Sequence, residues 1–140
     1  MALSLWMLLA FAGWTLIVLL AGIGVRRWSL ILTGRAALTD FPADTPHGTT
    51  AYRRAVRAHA NCVENLPVFA VMVLIPAVTG LKVPYLDVLA VVTMGGRIAQ
   101  SLVHLLLPET NATVGWRFTF FLVQVLAMIA MGVMIARAAL

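Results

Sequence analysis

Arg57, Asn61 and Glu64 stand at i, i+4 and i+7, and the apolar run 68–75 follows them with little interruption. At 100° per residue these side chains fall within about 40° to 60° of one another on a helix. A cation, an amide and an anion thus share one stripe of a helix whose continuation is greasy enough for lipid. Charges in such a place are costly and mark functional sites. A second stripe holds Arg97, Gln100, Ser101 and His104 at i, i+3, i+4 and i+7. Further on, Arg117 and Gln124 repeat the spacing of seven. If these stripes face one another, they line a polar, net cationic cavity suited to an anionic ligand.

Other readings compete for the same residues. Glu64 and Arg97 can pair as a buried salt bridge between helices, an arrangement that braces a site but contributes little stability, since desolvation offsets the attraction. Arg26, Arg27, Arg53 and Arg54 suit lipid-headgroup anchors. His59 lies about 200° from the Arg57 stripe, so it is expected to face lipid or an interface and to reach a site only across a subunit boundary. Metal binding is not supported: His47, His59 and His104 have no i, i+4 partner, and Cys62 is the sole cysteine. No Gly-x-Ser-x-Gly elbow marks a hydrolase. Asn111-Ala-Thr113 matches a glycosylation acceptor, but it falls in a connection assigned to the cytoplasm and reads as turn chemistry.

The elements that position these groups are membrane helices. Of 140 residues, 62% are hydrophobic and 11% charged, with a mean hydropathy of +0.99; soluble domains carry about 25% charge. Residues 1–25, 65–81 and 118–136 have no charge, and 83–107 carry only Asp87 and Arg97. Spanning a hydrocarbon core takes about 20 residues. Four helices are predicted, over about 2–32, 50–78, 85–107 and 115–138, in a single transmembrane domain covering 1–140. The first block lacks the basic start and short core of a cleaved signal peptide and reads as a retained helix. Thr49 or Thr50 caps the second helix, and Pro67 and Pro76 should bend it. Asp40, Pro42, Asp44, Pro46 and Gly48 make the preceding connection turn-rich. Gly95 and Gly96 permit close helix approach. Short connections imply an all-α, up-down four-helix bundle.

The net charge of +5 does not signal nucleic acid. Arg26, Arg27, Arg35, Arg53, Arg54 and Arg57 flank the first connection, whereas the second offers only Lys82. This positive-inside asymmetry places the first and third connections in the cytoplasm and both termini outside, in the periplasm of a bacterial inner membrane.

The segment 54–69, with Arg57, Ala58, Asn61, Glu64, Pro67 and Phe69, resembles the signature of the membrane-associated proteins in eicosanoid and glutathione metabolism. That family includes microsomal glutathione transferases and the leukotriene C and prostaglandin E synthases. Length, helix number and an arginine midway along the third helix agree with the resemblance over nearly the whole chain. It implies homotrimers with glutathione held in a U shape at each subunit interface, open to cytoplasm and lipid. Carried over to this chain, it implies that Arg57, Asn61 and Glu64 hold the glutathione backbone and that Arg97 shapes the site. Arg117 would stabilise the thiolate, and Arg35 would reach a carboxylate from the neighbouring subunit. Gln100 and His104, which share the Arg97 stripe, complete the candidate binding set on their spacing alone.

The residue chemistry suits such a ligand. Arginines fork-bond carboxylates, Glu64 accepts from an ammonium, and Asn61 serves either polarity. A nearby guanidinium favours the nucleophilic thiolate. Three departures argue against a dedicated eicosanoid synthase. Gln100 and His104 stand near family tyrosine positions, Asn65 replaces an aromatic, and Ala36 or Ala37 stands opposite a further arginine. The implied function is a membrane glutathione-dependent transferase or peroxidase acting on lipophilic electrophiles or lipid hydroperoxides. A non-catalytic binding or scaffold protein with the family trimer is the alternative, and whether catalysis survives the lost tyrosines stays open. A small transporter is a weaker rival, since no discontinuous repeat is present.

Overall fold

The computed structural model describes residues 1–42 and 45–140, so the turn-rich residue Asp44 lies outside the described residues. Four helices dominate it: α1 (Leu3–Leu32), α2 (Thr50–Thr79), α3 (Leu86–Leu106) and α4 (Asn111–Ala139). Each is long and apolar enough to cross a membrane, and the protein is an all-α integral membrane four-helix bundle. At 1.5 Å per residue, α1, α2 and α4 reach about 45 Å and overrun a hydrocarbon core of about 30 Å, whereas α3 matches it.

Local chemistry accounts for the helix ends. The Thr49 side chain accepts from the Tyr52 N–H at 3.3 Å, which satisfies one of the unpaired donors of the first turn. Helix α4 begins at Asn111, four residues before the expected start. There Thr110 and Thr113 cap each other reciprocally: the Thr110 N–H donates to Thr113 Oγ1 at 2.8 Å, and the Thr113 N–H donates to Thr110 Oγ1 at 3.2 Å. The threonine that read as turn chemistry therefore starts a helix. Helix α2 continues through both Pro67 and Pro76. Within α1 the coil widens to a π-helical stretch over Val18–Gly24, and a Cβ on Gly22 would stand 3.0 Å from Ala55 Cβ.

Cross-helix contacts set the up-down order. At one end the Ser4 N–H of α1 donates to Asp87 Oδ1 of α3 at 2.8 Å. At the other, Arg27 Nε of α1 donates to the Tyr52 hydroxyl of α2. Arg54 Nη1 of α2 donates to the Leu107 carbonyl beyond α3 at 2.7 Å. Arg27 and Arg54 thus make contacts within the fold, where the sequence suggested headgroup anchoring. Between the ends, Phe11, Cys62, Phe69, Val73, Ala90, Met94, Met128 and Met131 form the core. The outer faces carry exposed Leu9, Leu16, Leu20, Val71 and Ile129, as a surface bathed in lipid requires.

Gly96 explains the close seat of α3 on α4. A Cβ there would meet Gln124 Cγ at 2.8 Å, whereas Gly95 has nothing within 4 Å. Only one of the two glycines answers to the expected close approach.

Candidate functional site

The two polar stripes turn in opposite directions. Along α2, Ala55, Ala58, Cys62, Asn65, Phe69, Val73 and Pro76 are buried. Their spacing of three and four makes one inward face. Glu64 lies two residues, or about 200°, from Cys62, so Arg57 and Glu64 are exposed and Asn61 is half-buried. Along α3 the reverse holds: Arg97, Gln100, Ser101 and His104 are all buried.

This geometry overturns the Glu64–Arg97 pair. Among the described residues the salt bridges are Arg57–Glu109 and Arg117–Glu109; Glu64 is exposed whereas Arg97 is fully buried. The Arg97 guanidinium instead sits over the Phe11 ring, 5.3 Å from its centroid. None of its nitrogens has a hydrogen-bond partner among the described residues. Gln100 also stays inside the bundle, accepting from Gln124 Nε2 at 3.1 Å, while Gln124 Nε2 donates in addition to the Phe120 carbonyl at 2.7 Å. Cys62 Sγ lies 3.7 Å from Ser101 Oγ.

Three of the expected residues do converge. Arg57 Nη2 lies 2.8 Å from Glu109 Oε1, and Arg117 Nη1 lies 3.5 Å from the same oxygen. Arg117 Nη1 also lies 3.1 Å from His104 Nδ1. A guanidinium only donates, so His104 Nδ1 accepts and its ring proton belongs on Nε2 while this bond is made. The side chain of Arg117 is 11% exposed and those of Arg57 and Glu109 are 50% and 41% exposed. The cluster therefore runs from the bundle interior to its surface. Asn61 extends it along α2, with its Nδ2 donating to the Arg57 carbonyl at 2.9 Å. Arg35 is exposed in the connection after α1 and joins no ion pair among the described residues.

Glu109 is the residue that sequence reasoning passed over. Its signal was available: it is the acid beside Pro108 in a connection expected at the arginine-rich end. Its charge offsets the net cationic character expected of the cavity.

A cavity of about 660 Å³ opens beside this cluster, lined by Ile23, Arg27, Tyr52, Arg53, Arg57 and His59 among others. His59 therefore shares a cavity wall with Arg57 within one chain, contrary to its expected isolation. The reason is that the cavity spans more than one face of α2, between α1 and the start of α2. A second, mostly apolar groove of about 450 Å³ lies between α2 and α4, lined by Asn65, Val68, Met72, Val125, Met128 and Gly132 among others.

An integral membrane bundle with an arginine–glutamate–histidine cluster at one end narrows the class of protein. The MAPEG family model matches residues 3–137, nearly the whole chain. The protein belongs to the MAPEG family, whose members serve glutathione and eicosanoid metabolism. No curated protein and no solved structure matches the chain.

Proposed function

We propose that this protein is a homotrimeric, glutathione-dependent transferase or peroxidase acting on lipophilic electrophiles or lipid hydroperoxides. The observation that carries the reading is the outward turn of Arg57 and Glu64 on a membrane helix. Exposed charges in that setting demand a polar partner, and a site shared with a neighbouring subunit supplies one. Arg57, Asn61 and Glu64 bind the carboxylate and ammonium groups of the tripeptide. Arg35 adds a carboxylate contact from the adjoining subunit. Arg117, oriented by His104, stabilises the thiolate; each tenfold rise in the thiol acidity constant corresponds to about 1.4 kcal/mol of anion stabilisation. Gln100 and Arg97 shape the site from within the bundle. The hydrophobic acceptor enters sideways from the bilayer. The arginine-rich end, with the first and third connections, faces the cytoplasm of a bacterial inner membrane.

Addition of glutathione to detergent-purified protein is expected to raise a thiolate absorbance band, and a chlorodinitrobenzene-type electrophile is expected to be conjugated. Arg117→Ala should abolish the band. Activity unchanged in that variant would refute the thiolate role.

A non-catalytic binding protein is the second reading, favoured by one feature. Neither Gln100 nor His104 offers a phenol, and each is engaged by a neighbouring helix. Calorimetric binding of glutathione without turnover of several electrophiles would select it.

A further inference from the structure

We infer that Glu109 is a specificity-determining residue of this site, an internal anion that holds Arg57 and Arg117 until an anionic group of the ligand displaces it. The inference rests on the proposed glutathione site and assigns that site a regulating contact. One carboxylate oxygen serves both arginines, at 2.8 Å from Arg57 and 3.5 Å from Arg117. These are the two guanidinium groups that a tripeptide carboxylate and thiolate would require. In the structure Glu109 takes the place of such an anion.

The backbone around Glu109 is pinned on both sides, after it by the Thr110 N–H donating to Thr113 Oγ1 at 2.8 Å and before it by two carbonyls. The Leu107 carbonyl accepts from Arg54 Nη1 at 2.7 Å, and the Pro108 carbonyl accepts from Thr113 Oγ1 at 2.7 Å. Displacement therefore needs only a turn of the Glu109 side chain, with no rearrangement of the connection. Both members of the closer pair are about half exposed within the single chain, so no packing inside the chain opposes that turn. Exposed ion pairs of this kind are weak, and exchange of one carboxylate for another leaves the arginines paired throughout. A ligand without a negative charge cannot make that exchange. The site then discriminates by charge before any contact with the acceptor.

The test uses S-hexylglutathione, which keeps both carboxylates but cannot react, and its diethyl ester, which has neither charge. Affinities are measured by calorimetry on the full-length protein in detergent, for wild type, Glu109→Gln and Glu109→Ala. Removal of the competing carboxylate should tighten binding of the acid by about two- to fivefold in both variants. The diester should bind wild type and variants alike. Unchanged or weakened binding of the acid in the variants overturns the inference, as does an equal gain for the diester. Failure of both variants to fold, read from thermal unfolding and elution volume, would make Glu109 a structural brace and also overturns it. If wild type and variants alike fail to bind the acid, the glutathione site itself is wrong and the inference falls with it. If wild type binds but the variants show no gain, only the role of Glu109 is lost.

Discussion

The stripes on α2 and α3 have nearly the same sequence pattern and opposite fates. Arg97, Gln100, Ser101 and His104 are enclosed by their own chain, and two of them bond across to α4. Arg57 and Glu64 are exposed on the bundle surface. The difference lies in what surrounds each stripe. On α2 the small and apolar residues Ala55, Ala58, Cys62 and Phe69 occupy the opposite face and claim the interior. On α3, Thr93 and Gly96 continue the polar stripe and are buried with it, and the absence of a side chain at Gly96 admits Gln124. Polar residues can therefore serve packing on one helix and remain available for a ligand on another.

If that division is right, substitutions on the outer stripe change ligand binding, and those on the inner stripe change stability. The largest effect is expected at the outer stripe. Arg57→Ala and Glu64→Gln should each weaken glutathione binding by about 10- to 100-fold, the range for hydrogen bonds to charged groups. The unfolding temperature in detergent should shift little. A large loss of stability with binding intact would break the comparison.

The two adjacent glycines sharpen the inner side. Gly96→Ala forces a Cβ against Gln124 Cγ, which is held by bonds to Gln100 and Phe120. It should cost about 1–3 kcal/mol. Gly95→Ala meets open space and should be neutral or stabilise by up to about 1 kcal/mol. Thermal unfolding of the pair is expected to move in opposite directions or to leave Gly95→Ala unshifted.

A smaller effect is expected from the amide pair. Gln100→Leu strips Gln124 of one acceptor in a buried place and should cost about 1–2 kcal/mol. The double replacement Gln100→Leu with Gln124→Leu should recover part of that loss. An additive double mutant would show that the two side chains do not act together. The smallest effect is expected at the start of α2, where Thr49→Ala removes a cap worth about 1 kcal/mol without touching either stripe.

Sequence reasoning located the four helices well because each depends on its own residues. An uncharged apolar run spans the membrane whatever its neighbours are, and Thr49 caps α2 through a contact three residues away. The start of α4 was misplaced because Pro108 and Asn111 read as a turn, while the reciprocal Thr110–Thr113 bonds begin the helix at Asn111. Arg57, His104 and Arg117 sit on stripes expected to line one cavity, and they do meet, Arg57 through Glu109. Of the competing readings, the Glu64–Arg97 pair is the one that does not form among the described residues. Spacing of seven establishes that residues share a face, but it does not say where that face points.

The sequence by itself determined a membrane protein of four spanning helices, its family signature over 54–69, and which polar groups travel together on each helix. These follow from local hydropathy and a fixed helical period. Tertiary structure alone decided that one stripe turns inward and the other outward, that Arg97 rests on Phe11, and that Glu109 joins Arg57 to Arg117. The physical reason is rotational. A helix can spin about its axis without altering its internal spacing, and only packing against other helices selects the angle.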